Sequence, residues 1–293
     1  MKSQFLQGIL SRSLCLGLSS ALFLLGSLEV SSDLWAGSQQ PATLANPDVE
    51  VIKGEAEQDG IYVIGIAIEL APDLMTYWRM PGEAGVAPVF SFDHSSNLAK
   101  TTVLYPAPER ISDEGAEIFG YRGRVVFPIR VEPRDAHEQV TLSLALDYAT
   151  CGKICRPQKA QTEVLLSPGK TSLANPRLTE ALSEVPTTLT PEAVASAIKI
   201  MSEPGYDHPT WRLQWVNGHA RDLFVEAPDG WYFETKPTGQ PDEFLLRQIL
   251  APAGTGVEAP PPPLTLTLAG MDRHKSYEFS LQLPPIKPTQ RKS

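Results

Sequence analysis

Cysteine is scarce in this 293-residue chain, with only Cys15, Cys151 and Cys155. Three thiols cannot build a disulfide-dense scaffold or a four-thiolate zinc centre. Histidine and methionine number five each. His94, His137 and Met80 are the candidates to join a cysteine at a metal, and none stands at a zinc-ligand spacing from Cys151 or Cys155. A soft ion such as Cu(I), which needs fewer ligands, is still compatible with the pair. Basic residues are outnumbered, 25 Lys and Arg against 34 Asp and Glu, for a net charge of −9. Without a basic patch, nucleic acid is excluded as an expected partner. Long apolar runs are also missing beyond the N-terminus, so the mature form is expected to be soluble.

The one long apolar run is Leu14–Leu28, which is uncharged and follows Lys2 and Arg12. This is the order of a secretory signal peptide, and residues 1–36 are assigned to it, with cleavage near Ala36. Cys15 then leaves with the signal. Two closely spaced cysteines remain in an exported chain, where disulfides persist.

Proline is abundant, at 27 residues, which argues against a helical bundle and for short strands joined by turns. The run Ile61–Leu70 is almost wholly apolar, as expected of a strand buried in a sandwich. Leu142, Leu144, Leu146 and Tyr148 alternate with smaller or polar residues, as in a half-buried strand. Val125–Val131 is interrupted by Pro128, which suggests an edge or a bulge. Seven or eight strands in about 120 residues predict a β-sandwich. Asn175-Pro176 and Thr190-Pro191 each place a capping residue before a proline, predicting helices to Val185 and Met201. Strands resume after Pro204. The expected organisation is therefore mainly β: a redox-bearing sandwich over 45–170, a helical linker over 171–204 and a smaller second β domain over 205–285. Gly254–Pro263, with its proline run, is expected to be an exposed stiff loop.

Cys151 and Cys155 fall between the strand ending at Tyr148 and the one beginning near Thr162. If these strands are antiparallel neighbours, the cysteines flank the turn, Gly152 lets the chain reverse, and the sulfurs can meet. Three uses are open: a stabilising staple, a metal clamp and a redox pair. A ring this small stabilises by only roughly 2 kcal/mol in the chain-entropy model. A strained, exposed disulfide is also the more reducible kind. Lys153 and Arg156 add positive charge that favours a thiolate, and Pro157 fixes the backbone after Cys155. Redox exchange is therefore the favoured reading, with electrons carried by the cysteines and no organic cofactor.

The segment Tyr148-Ala149-Thr150-Cys151-Gly152-Lys153-Ile154-Cys155-Arg156-Pro157 resembles the cysteine motif of the DsbD N-terminal domain family. It is nearest in style to the copper-sensitivity suppressor (ScsB-type) branch. The blocks Thr76–Gly85, Pro88–Phe90, Tyr105–Arg110 and Gly120–Arg124 agree in order. The resemblance implies an immunoglobulin-like sandwich, a periplasmic location and Cys151–Cys155 as the exchanging pair, with Cys155 as the attacking sulfur. It implies partners that are thioredoxin-like oxidoreductases, a membrane electron-transfer protein, or both. Larger members continue into an eight-helix domain and a thioredoxin-like domain, neither of which is readable here, so the expectation is either that a separate membrane protein reduces it or that it acts as a stand-alone exchange partner or metal-stress protein.

In the better-known members of that family a cap loop carrying Asp-Glu-Phe-Tyr-Gly shields the cysteines. Here the matching stretch begins Asp113-Glu114-Gly115, with glycine in place of the aromatic. Phe119 or Tyr121 is then left to shield the disulfide, unless both pack inside the sandwich. A non-catalytic binding module with a structural disulfide, or a Cu(I)-binding protein, is the alternative function.

Overall fold

The computed structural model describes residues 46, 48–56, 60–113, 115–169, 175–255 and 261–285. The expected signal segment lies outside the described residues, as do Glu114 and part of the proline-rich loop. Ten strands build the first unit: β1 (Val49–Ala56), β2 (Tyr62–Glu69), β3 (Met75–Gly82), β4 (Val89–Ser91), β5 (Leu98–Val103), β6 (Glu109–Asp113), β7 (Ala116–Arg122), β8 (Arg124–Pro133), β9 (Val140–Cys151) and β10 (Cys155–Leu166). One sheet runs β1-β2-β8-β5; the other runs β10-β9-β3-β7-β6, with β4 added to β9.

Period-two alternation decides which residues these sheets bury together. Ile64, Ile66 and Ile68 of β2, Phe127 and Ile129 of β8, and Leu142, Leu144 and Leu146 of β9 share one core with Trp78. The intervening residues of β2 are apolar for a second reason. Val63 and Ala67 meet Leu178 and Ala181 of helix α1 (Pro176–Glu184) on the outer face of the sheet. A strand covered on both sides reads as a continuous apolar run. Gly54 of β1 makes room for the helix, because a Cβ there would sit 2.2 Å from Leu178 Cδ2. Part of the expected linker is thus a cover for the first unit, with Asn175 capping α1 through Arg177 N.

The second unit has a sheet of order β11-β18-β17-β14, from β11 (Thr187–Thr188), β14 (Ala220–Glu226), β17 (Leu264–Gly270) and β18 (Tyr277–Leu281). Its facing sheet is β12-β13-β16-β15, from β12 (Ile198–Ser202), β13 (Thr210–Trp215), β15 (Tyr232–Pro237) and β16 (Glu243–Leu250). Trp211, Leu213, Phe233, Phe244, Leu266 and Phe279 fill the space between.

Two local expectations are corrected. The second helix, α2, ends at Ala197 rather than Met201. Ile198 and Ile200 pack against the second core as alternate residues of β12, which pairs with β13. Pairing with a neighbour overrides the helical start signal after about two turns. Pro128 lies in β8, between β2 and β5, with no break in its register with β2. Leu104 N donates to Pro128 O at 2.8 Å just beyond the end of β5, so the missing N–H falls where that partner strand departs. Proline is tolerated inside a sheet where no ladder bond is forfeited.

The units meet along β14. Leu223 and Val225 face the second core, while Phe224 points the other way into the first and is 0% exposed. Its ring packs edge-on to Phe119 at 4.9 Å and lies 5.8 Å from Trp78. Burial of a phenylalanine this complete contributes about 1.5–3 kcal/mol.

Burial raises the phenol pKa of Tyr77, Tyr105, Tyr121, Tyr148 and Tyr232 above the usual value of 10. The folded chain therefore holds these protons at a pH where the unfolded chain has begun to lose them. Stability from this source is complete below about pH 10 and falls as pH rises through the folded values. Denaturant midpoints should stay level from neutral pH to about 9, then drop, with the phenolate absorbance of these five tyrosines appearing on unfolding. Titration of these five phenols at their ordinary value in the folded protein would contradict this.

Candidate functional site

β9 and β10 form a hairpin whose register runs unbroken from Val140↔Leu166 to Cys151↔Cys155. Gly152, Lys153 and Ile154 make the turn, and the cysteines face each other at its base with Cα atoms 4.1 Å apart, joined as a disulfide. Gly152 is needed for a close approach: a Cβ there would meet Asp73 O at 2.9 Å.

The two sulfurs have different surroundings. Cys151 is 1% exposed and shares a small apolar cluster with Met75, Tyr77, Ile111, Ile118 and Ala149. This cluster covers the outer face of the sheet, opposite the sandwich core, because Cys151 and Ala149 alternate with the inward Tyr148. Cys155 stands at the edge of the cluster and is exposed. Ile154 at the tip of the turn is 69% exposed. One sulfur is thus presented and the other is covered.

Tyr77 supplies the polar contact. Its hydroxyl donates to Cys151 Sγ at 2.8 Å and lies 3.5 Å from Cys155 Sγ. Thr76 holds the strand in place, its hydroxyl donating to the buried Ala149 carbonyl at 2.8 Å. The Tyr77 ring is flanked by Gly85, whose φ is +115° and where a Cβ would lie 2.1 Å from Tyr77 Cε1. Only glycine meets both conditions. Burial first, and the Asp113 carboxylate second, raise the Tyr77 pKa, so the phenol stays protonated through the physiological range and remains a donor.

An open groove of about 440 Å³ runs past the pair, lined by Asp73, Met75, Asp113, Arg122, Cys151, Gly152, Lys153 and Cys155. Asp113 and Lys153, both singled out from sequence, therefore lie beside the disulfide. A second groove on the other side of the turn is lined by Lys153, Ile154 and Arg156, among others. Pro157 is exposed on the Cys155 side of the hairpin, opposite Ala149.

Three of the sequence candidates lie elsewhere. Tyr148 faces the sandwich core, where its hydroxyl accepts from Asn46 Nδ2 at 3.0 Å. Tyr121 is also a core residue, with its hydroxyl donating to Pro106 O at 2.8 Å and its ring edge-on to Phe127. Phe119 packs on Phe224 of the second unit. The reason is parity: Ile118 of β7 reaches the disulfide cluster, so Phe119 and Tyr121 emerge on the opposite face. The cover over Cys151 comes instead from Tyr77, Met75, Ile111 and Ile118. The signal that could have found Tyr77 is its parity with Met75, the residue paired with Cys151.

Among the described residues, no three histidine, cysteine or carboxylate side chains gather as a metal-binding set. His94 and His137 are exposed. Met80 lines a different pocket, with Phe119 and Trp231. Among the described residues no helix is long and apolar enough to cross a membrane.

Residues 43–167 match the family described as thiol:disulfide interchange protein DsbD, N-terminal. The crystal structure of the N-terminal periplasmic domain of ScsB from Proteus mirabilis is similar over 82% of this chain and 95% of its own, with a TM-score of 0.61 and 21% identity. That likeness extends beyond the first unit and is one of fold. None of the curated proteins compared matches the chain.

Proposed function

We propose, from residues 43–167 forming a thiol–disulfide interchange domain of the DsbD N-terminal type, that Cys151 and Cys155 exchange electrons with protein thiols and disulfides in the periplasm. The observation that carries this reading is the asymmetry of the pair: an exposed Cys155 bonded to a buried Cys151 that has a phenol donor 2.8 Å away.

In the oxidised protein, an incoming thiolate attacks Cys155 Sγ. A bond forms between the partner sulfur and Cys155, the Cys151–Cys155 bond breaks, and Cys151 leaves as a thiolate. Burial alone opposes that charge, and the Tyr77 hydroxyl offsets part of the cost by donating to it. A second partner thiolate then attacks the partner sulfur of the mixed disulfide and releases Cys155. Two electrons have passed to the pair, and its thiolates take up protons from solvent. In the reverse direction, the Cys155 thiolate attacks a partner disulfide. Partners that fit are thioredoxin-like oxidoreductases and a membrane electron-transfer protein with its own cysteine pair. Lys153, beside the groove, and Arg156, on the other side of the turn, favour the thiolate form.

Equilibration in glutathione buffers with quantified free thiols tests the proposal. The expected midpoint lies between roughly −150 and −260 mV, where exchange with other carriers is possible. A pair that stays oxidised below about −300 mV is a structural staple, and the exchange reading fails.

A further inference from the structure

The second unit carries no cysteine, yet its polar side chains hold the strands that build the disulfide's surroundings. β3 bears Tyr77 and, two residues later, Arg79. The Arg79 Nε lies 3.0 Å from both carboxylate oxygens of Glu226, and its Nη2 also pairs with Glu278. β6 bears Ile111 of the disulfide cluster, and the residue before it is Arg110. Its guanidinium donates to Asp222 Oδ2 at 2.9 Å and Oδ1 at 2.8 Å, to Leu223 O at 3.2 Å and to Thr235 Oγ1 at 3.1 Å. All of these acceptors belong to the second unit.

Arg110 also continues the path toward Tyr77. Its Nη1 donates to Glu117 Oε2 at 2.7 Å. Glu117 N in turn donates to Glu83 Oε2, and Glu83 N to Glu117 O, each at 2.9 Å. These bonds fasten the segment that ends at Gly85 against the Tyr77 ring. Both guanidiniums lie over aromatic faces, Arg79 on Trp78 and Arg110 on Phe119, at 4.8 and 5.0 Å, which adds direction to the ionic contacts. Apolar side chains could glue two units together at least as well as partly buried ion pairs. Forked, multiply bonded arginines instead define a single geometry.

We propose that the second β unit is a working part of the redox site: Arg79 and Arg110, gripped by Glu226, Glu278 and Asp222, are positioning residues that set Tyr77 and the β6–β7 hairpin against Cys151. The proposal rests on the exchange reading above. It makes the reactivity of the pair depend on carboxylates in the unit that does not carry the cysteines.

The test compares the wild-type chain with the Glu226→Gln, Glu278→Gln double variant and with Arg110→Lys, which keeps the charge but loses the two-pronged contact. Two quantities are read: the rate at which dithiothreitol reduces the disulfide, and the pH at which the Cys151 thiol titrates after forced reduction. Variants that remain folded by circular dichroism should be reduced roughly five- to tenfold more slowly, and the Cys151 titration should move upward. A folded variant with wild-type rate and wild-type titration overturns the proposal. If the double variant does not fold, Arg110→Lys decides alone. If the wild-type pair itself resists reduction, the exchange reading falls, while the thiol titration after forced reduction still decides the coupling.

Discussion

A Cys151→Ala variant should accumulate a stable mixed disulfide through Cys155, whereas Cys155→Ala should accumulate none. Either change removes one half of a two-electron couple, so turnover with any protein partner is lost completely. The two variants differ in what remains. With Cys151 gone, Cys155 stays exposed at the base of the turn, and with a partner that keeps only its attacking cysteine no second thiol is left to resolve the bond it forms. With Cys155 gone, the remaining sulfur is 1% exposed under Met75, Tyr77, Ile111 and Ile118. Its reaction requires local opening of the strand ends. An opening cost of about 2.7 kcal/mol slows modification on the order of 100-fold. Trapping with a thioredoxin-like partner, resolved by non-reducing electrophoresis and by alkylation rates, measures both arms. Equal trapping by the two variants would show that the sulfurs are interchangeable and would remove the basis for naming Cys155 as the point of attack.

Much of the scaffold behind this asymmetry is legible in the residues. The alternation of Leu142, Leu144, Leu146 and Tyr148 identifies β9 and its buried face, and Asn175-Pro176 and Thr190-Pro191 mark both helix starts. The placing of the cysteines across a hairpin, expected if the flanking strands pair antiparallel, agrees with the observed register. The cover over the disulfide is less legible for a physical reason. Alternation says which residues share a face, but not which of two apolar faces lies inside. β7 is apolar on both sides: Ile118 meets the disulfide cluster, while Phe119 and Tyr121 meet Phe224 and the sandwich core. Nothing local to Asp113–Tyr121 distinguishes these outcomes. The seam between the units is likewise invisible to periodicity, since Glu226 and Asp222, which bind Arg79 and Arg110, arrive from more than 100 residues away. The shared blocks that carry the family resemblance contain Tyr77, Gly85 and both arginines. They therefore describe the site and its brace rather than the sandwich core alone.

Substituting Tyr77 with phenylalanine should slow exchange roughly tenfold to hundredfold while leaving the oxidised fold almost unchanged. The ring keeps its packing against Gly85, and the lost hydroxyl leaves behind only a disulfide sulfur, a weak acceptor that tolerates being unpaired. The cost appears when Cys151 leaves as a thiolate. A hydrogen bond to a charged group is worth about 1.5–3 kcal/mol, which converts to the stated range of rates at about 1.4 kcal/mol per tenfold. The same loss raises the Cys151 thiol pKa. At pH above that pKa it also drives the reduction potential to more negative values by roughly 30–60 mV, since 30 mV corresponds to about 1.4 kcal/mol for two electrons. The Tyr77 phenol has its own pKa raised by burial and then by Asp113, so no tyrosine titration should intrude on the wild-type rate profile below about pH 10. Stopped-flow reduction across pH, paired with redox equilibration, separates a kinetic donor from a packing residue. A pure packing role leaves the phenylalanine variant at the wild-type rate and potential. A donor role shifts both together and in the directions given, because one hydrogen bond stabilises the same departing sulfur in the transition state and in the reduced product.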